Sequence, residues 1–242
     1  MHSGSNIIIK LKHLLFLVMV LLSSYSFQMK NPDESFCVDI QKNTVKDLYE
    51  TLNLKDKLNY QAFEYAYFGY QVLESKCKKN LLTIIDYSLS SSEKRLFLVD
   101  LKEERLVYHT YVAHGKNTGL DTAKYFSNTL DSKQTSLGFF ITGKTYYGKN
   151  GYSLKLIGME SGINDLAEER AIVIHGANYV SKNFISQHGR LGRSWGCPAL
   201  PSELNQEIID LIKNGSLVFS YSDRTKYAQS SPILGKAILV NT

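Results

Sequence analysis

LLTIIDY at residues 81–87, LFLVDL at 96–101 and LVYHTYVA at 106–113 are short apolar runs rich in β-branched and aromatic side chains. Such runs read as strands, and the charged turn Lys102 to Arg105 joins the second and third as a hairpin. Strand signals resume at Leu137–Thr142, Tyr152–Met159 and Ala171–His175, separated by Gly-rich turns such as Lys149-Asn150-Gly151. Leu204–Ile212 is a short amphipathic helix, and Leu217–Tyr221 is a closing strand. Strands at such short intervals predict an antiparallel β-sandwich or small barrel over residues 81–225.

Outward from this block the pattern becomes helical. Thr44 and Asp47 form a helix start, with Val45, Leu48, Tyr49 and Leu52 on one face. Leu58, Phe63, Ala66, Tyr67, Tyr70 and Leu73 repeat at helical spacing and predict a second helix to about Ser75. An aromatic stripe of this period packs inward rather than serving a ligand. The expected class is therefore mainly β with a helical N-terminal appendage (α+β). Residues 27–80 hold the helical segment and 226–242 a C-terminal tail.

The first 26 residues stand apart. Lys10, Lys12 and His13 precede the apolar run Leu14 to Leu22, and Ser23, Ser24, Tyr25 and Ser26 follow. This order of basic, apolar and small residues describes a secretory signal peptide; the run falls short of a bilayer span, and an uncleaved anchor lengthened by Ile7 to Ile9 is the alternative. Export to the periplasm or cell envelope is expected. Without residues 1–26 the chain has 26 Lys and Arg against 23 acids, a net charge of +3. That balance gives no argument for nucleic acid or a membrane surface as partner. Three cysteines are an odd number, so at least one is unpaired within the chain. Cys37 and Cys77 flank the helical segment and form a candidate disulfide, with Cys197 free; three free thiols is the alternative.

Two segments can carry chemistry. Ile172-Val173-Ile174-His175-Gly176-Ala177 is an apolar strand ending in histidine and glycine; Gly192-Arg193-Ser194-Trp195-Gly196-Cys197-Pro198 is a tight loop holding the only cysteine of the β block. A thiol is mostly protonated at neutral pH, and a nearby imidazole can take its proton and hold the thiolate as an ion pair. Glycine beside the nucleophile lets backbone approach substrate, and the Trp195, Gly196 and Cys197 amides are candidate oxyanion donors. Against this, a lone Cys is commonly a small buried hydrophobe. His175, His188 and Cys197 match no common zinc spacing. His109 and His114 are competing base candidates.

The His175-Gly176 element and Gly189-Arg190-Leu191-Gly192-Arg193-Ser194-Trp195-Gly196-Cys197-Pro198-Ala199 together resemble the murein L,D-transpeptidase catalytic-domain family. Arg95–Leu101, Val112-Ala113-His114-Gly115-Lys116, Phe126-Ser127-Asn128 and Gly148–Leu156 extend the resemblance over residues 81–221. It implies Cys197 as nucleophile, His175 as base, and the Gly176 carbonyl as the group that orients the imidazole. Ser194 lines the loop, and Arg193 is a candidate substrate contact. The implied substrate is the peptidoglycan stem peptide, with no metal or organic cofactor, and the chain is expected to be a monomer. The sequence departs from the common family pattern in having Trp195 where a histidine is usual, and Pro198-Ala199 after the cysteine. A non-catalytic wall-binding protein of the same fold, an L,D-carboxypeptidase and another cysteine peptidase are the rival readings; papain-like chains place Cys before His, the reverse of the order here.

Overall fold

The computed structural model describes residues 44–223 and 226–240. The expected signal segment and Cys37, with the bridge assigned to it, lie outside them. Residues 44–51 form α1, and α2 runs Tyr60–Leu73, started by Asn59, whose side-chain oxygen accepts from the Gln61 N–H at 2.8 Å. The strands are β1 (Leu81–Asp86), β2 (Leu96–Asp100), β3 (Arg105–Thr110), β4 (Gly138–Gly148), β5 (Gly151–Gly158), β6 (Val173–Ala177), β7 (Ala199–Pro201) and β8 (Leu217–Tyr221). Helix α3 (Lys182–His188) lies between β6 and β7, and α4 (Ser202–Ile212) between β7 and β8. Two short helices end the described chain, α5 (Tyr227–Ser230) and α6 (Pro232–Val240).

All eight strands form one sheet in the order β3-β2-β1-β8-β4-β5-β6-β7. Most neighbours are antiparallel, but β1 pairs parallel with β8, and β6 parallel with β7. The sheet is therefore mixed, which corrects the expected antiparallel sandwich. The cause is topological. A parallel pair needs a crossover of a dozen or more residues, and the α3 connection supplies one between β6 and β7. Beyond β3, Ala113 pairs with Ala199 of β7, its N–H donating to the Ala199 carbonyl at 2.9 Å. The two outer strands of the order thus meet at one end, and the sheet curls into a half-barrel.

The helical segment is not peripheral to the core. Val45, Leu52, Phe63, Ala66 and Leu73 belong to the same buried cluster as Ile84, Phe97, Phe139 and Phe219. Tyr227, Ile233 and Leu234, from the segment expected as a tail, join it too. Each large apolar side chain so buried contributes about 1.5–3 kcal/mol. The Phe139 and Phe219 rings stack at 4.3 Å on paired positions of β4 and β8. A second, smaller cluster of Ala113, Ala177, Val180, Leu191 and Ala199 lies where β3, β6 and β7 converge.

Candidate active site

Alternation along β5 and β6 sets one face of the sheet apart. Leu154, Leu156 and Ile174 enter the main core. Their neighbours turn the other way: Ser153 is paired with His175, and Lys155 with Val173, so these four share the opposite face. His175 in turn registers with Ala199 of β7, two residues beyond Cys197. A strand position thus fixes the histidine, and the cysteine enters the same edge from the loop before β7.

The imidazole of His175 is buried, and its Nδ1 lies 2.9 Å from the Gly176 carbonyl oxygen. A carbonyl only accepts, so Nδ1 carries the proton and Nε2 presents its lone pair. Gly176 is closely packed: a Cβ there would sit 3.0 Å from Cβ of Asn205 on α4, which would have to give by a few tenths of an ångström. Asn205 is itself tied down, its Nδ2 donating to the Tyr152 carbonyl at 2.8 Å.

Cys197 is 8% exposed, and its thiol donates to the Ala171 carbonyl at 3.5 Å. Burial pushes the thiol pKa up, opposed by the Val173 N–H, the Arg170 guanidinium and its own N–H. Burial also pushes His175 below the ordinary imidazole value, with the Gly176 carbonyl opposing. Desolvation therefore drives both groups toward their neutral forms. Desolvation thus works against the thiolate–imidazolium ion pair that a nearby imidazole would otherwise favour.

The loop between them is held on three sides. Ser194 Oγ donates to the Cys197 carbonyl at 2.6 Å and accepts from the Gly196 N–H at 3.1 Å. The Gly196 amide is thereby occupied, which removes it from the expected oxyanion donors. The Trp195 and Cys197 N–H groups remain, the latter turned toward its own sulfur. Gly196 takes φ 128°, and a Cβ there would lie 2.9 Å from the Gln134 carbonyl oxygen. Thr135 Oγ1 donates to the Gly196 carbonyl at 3.1 Å and accepts from the Gly115 N–H at 2.9 Å. Arg193 is a clamp here: its Nη1 donates to the Lys116 and Gly119 carbonyls at 3.0 and 3.1 Å. Trp195 is 71% exposed beside the cysteine, with the Lys133 ammonium 5.0 Å over its ring.

The competing histidines are placed elsewhere. Arg95 is fully buried, and its Nη2 lies 2.7 Å from Nδ1 of His114, which must accept because a guanidinium only donates. Burial, with Arg95 next, lowers the His114 pKa to about 3. It is neutral, with its lone pair already engaged, and cannot serve as the base. His109 stacks on Phe97 at 4.5 Å, and its Nε2 lies 3.0 Å from the Lys94 carbonyl oxygen. His188 ends α3, exposed and stacked on Phe184. Among the described residues no group of three or more His, Cys, Asp or Glu is arranged to hold a metal ion.

Sequence reading missed Arg170. It follows Glu168-Glu169 and looks like part of a solvated charge run. In the fold its Nη1 donates to the Ser127 carbonyl at 2.5 Å and to Ser136 Oγ, and its Nη2 to the Gln134 carbonyl at 2.6 Å and Ser132 Oγ at 3.1 Å. It thereby pins the 127–136 loop, on which Gly196 rests, against the residue that accepts the thiol proton. Only its place directly before the β6 run hinted at this.

A family model described as L,D-transpeptidase catalytic domain matches residues 54–221. No curated protein matches. Among solved structures, L,D-transpeptidase LdtMt1 in complex with imipenem is 13% identical, with 59% of each chain covered and a TM-score of 0.37. The helical cell shape determining protein Pgp2 from Campylobacter jejuni is 15% identical over 72% of this chain and 60% of its own, with a TM-score of 0.38. An L,D-transpeptidase from Stackebrandtia nassauensis is 13% identical over 75% of this chain and 78% of its own, with a TM-score of 0.37. This chain thus spans less than two thirds of LdtMt1 and of Pgp2. The family match runs from the turn after α1 to the end of β8, more than two thirds of the residues, and the chain belongs to the L,D-transpeptidase catalytic-domain family.

Proposed function

We propose that the protein is an exported cysteine acyltransferase acting on peptidoglycan stem peptides. The observation that carries this reading is the pairing of β6 with β7, which brings Cys197 to the strand bearing His175, while the Gly176 carbonyl fixes the imidazole as an Nε2 base. In the first step Nε2 takes the thiol proton as the sulfur attacks the carbonyl of the third stem residue. The Trp195 and Cys197 amides are the donors left for the oxygen that becomes negative, the Cys197 N–H turning from its sulfur as the S–C bond forms. The imidazolium then protonates the departing amine, the C–N bond breaks, and the terminal D-alanine leaves. The thioester on Cys197 passes its acyl group to the side-chain amine of a second stem, which forms a cross-link, or to water, which gives a tripeptide.

The desolvation of both groups supports a concerted version of this step. The proton moves as the S–C bond forms, because burial disfavours a standing ion pair. Incubation with a purified disaccharide tetrapeptide, followed by mass analysis, tests the proposal. Dimer or tripeptide with loss of D-alanine supports it. Unchanged tetrapeptide together with measurable binding would instead support a wall-binding module.

A further inference from the structure

Helix α4 buries one stripe: Asn205, Ile208, Ile209 and Ile212. An apolar side chain is the default on such a stripe, and three of the four places hold isoleucine. The fourth is a carboxamide, 7% exposed and packed against Gly176. Only half of it is satisfied. Its Nδ2 donates to the Tyr152 carbonyl at 2.8 Å, while its buried Oδ1 has no partner among the described residues. A buried acceptor left unpaired is destabilising. Holding the helix in place does not account for the residue either. The three isoleucines enter the main core, and the Tyr152 hydroxyl donates to Asp210 at 2.7 Å, a separate tie from β5 to α4.

What Asn205 does is legible in the ladder beside it. Strands β5 and β6 pair through Lys155–Val173, Leu154–Ile174 and Ser153–His175. One step further Tyr152 would face Gly176, and the register stops there. The Gly176 carbonyl accepts from Nδ1 of His175 instead. Asn205 stands at this break. Its Nδ2 gives the Tyr152 carbonyl a donor, and its Cβ and Cγ lie 3.0 and 3.1 Å from where a Cβ on Gly176 would be. We propose that Asn205 is a positioning residue for the base, holding the Gly176 peptide out of the ladder so that its carbonyl stays on Nδ1. The assignment rests on the acyltransfer reading above and carries it one residue further, through Gly176 to helix α4. Leucine has nearly the shape of asparagine and no donor. In its place the ladder is free to extend by one pair and draw the Gly176 carbonyl off the ring, and the imidazole proton is then free to move to Nε2, the atom that must accept from the thiol.

Nitrogen-15 spectra of histidine-labelled protein test this without substrate, since they report which ring nitrogen carries the proton. In the unmodified protein His175, identified by the signals lost in His175→Gln, is expected to carry it on Nδ1. Asn205→Leu should populate the form protonated on Nε2. With a disaccharide tetrapeptide, the same variant should lower the acylation rate constant about tenfold, the scale of one hydrogen bond, and leave the donor KM within about twofold. The Gly176 carbonyl favours the charged ring against the downward push of burial, and no charged side chain contributes to the shift. Its loss should therefore move the acid limb of the rate profile to lower pH, by about half a unit. Asn205→Ala gives the same readings if the leucine variant does not fold. A slower rate with tautomer and acid limb unmoved would show that Asn205 only supports α4, and would overturn the assignment. A rate equal to that of the unmodified protein, or a loss confined to KM, would overturn it too. The two claims fail separately. An unmoved tautomer in Asn205→Leu, with thioester still formed, sinks the positioning role alone, whereas no thioester from the unmodified protein sinks the acyltransfer reading beneath it.

Discussion

At the residue scale, the proposed chemistry divides among three side chains. Cys197→Ala should abolish thioester formation with the fold retained, measured by intact mass and circular dichroism. His175→Gln should lower the acylation rate at least about 100-fold, the usual effect of removing a positioned base. Because the His175 pKa is lowered, its basic form persists below pH 6.5, and the acid limb of the rate profile should fall under that value. Arg170 acts from behind the sulfur. Its positive charge opposes the upward push of burial on the thiol, so Arg170→Gln should raise the pH at which Cys197 is alkylated by iodoacetamide, even where the rate at high pH is preserved. No upward movement of that titration would show that Arg170 only braces the loop. His175 and Cys197 could be singled out from the sequence because a strand end with His-Gly and a Gly-bounded Cys are local patterns. Arg170 was not, since its four acceptors lie 34 to 43 positions upstream and nothing near it in the chain announces them.

At the element scale, alternation identified most strands, and register explains their errors. The expected strand over Ala171–His175 starts at Val173 and ends at Ala177, because Ala171, at φ 51°, still belongs to the preceding turn. β7 has only three residues, too few to show a period, and its direction depends on a crossover through α3 that turn residues alone do not reveal. The C-terminal helices are anchored by Glu160. Its carboxylate accepts from the Phe139 N–H at 2.8 Å, the Tyr227 hydroxyl at 2.8 Å and Ser231 Oγ. Glu160→Ala should lower stability by about 3 kcal/mol or more, because it leaves buried donors unpaired. Denaturant titration reads this directly, and a loss below about 1 kcal/mol would mean that α5 and α6 add little.

At the scale of the whole molecule, one curled sheet brings residues 113–119, 134–135, 170–176 and 193–199 to one place, although they span over 80 positions of sequence. The buried pair Arg95 and His114 lies beneath that meeting point and links stability to pH. In the unfolded chain His114 titrates near 6.5, and in the fold at about 3. The unfolded state therefore binds more protons between those values, and stability falls as pH drops from 6.5 toward 3. His114→Gln keeps an acceptor for Arg95 but cannot titrate, so its stability should decline less over that window, as denaturant midpoints at pH 7 and pH 4 would record. Equal declines would contradict the assignment. The central claim is that Cys197 carries the acyl group, and rapid quenching with a disaccharide tetrapeptide followed by peptide mapping tests it most directly. A thioester of the stem tripeptide on Cys197, slowed in His175→Gln and absent in Cys197→Ala, is the predicted result; turnover at the unmodified rate by Cys197→Ala, or an adduct on another residue, would contradict it.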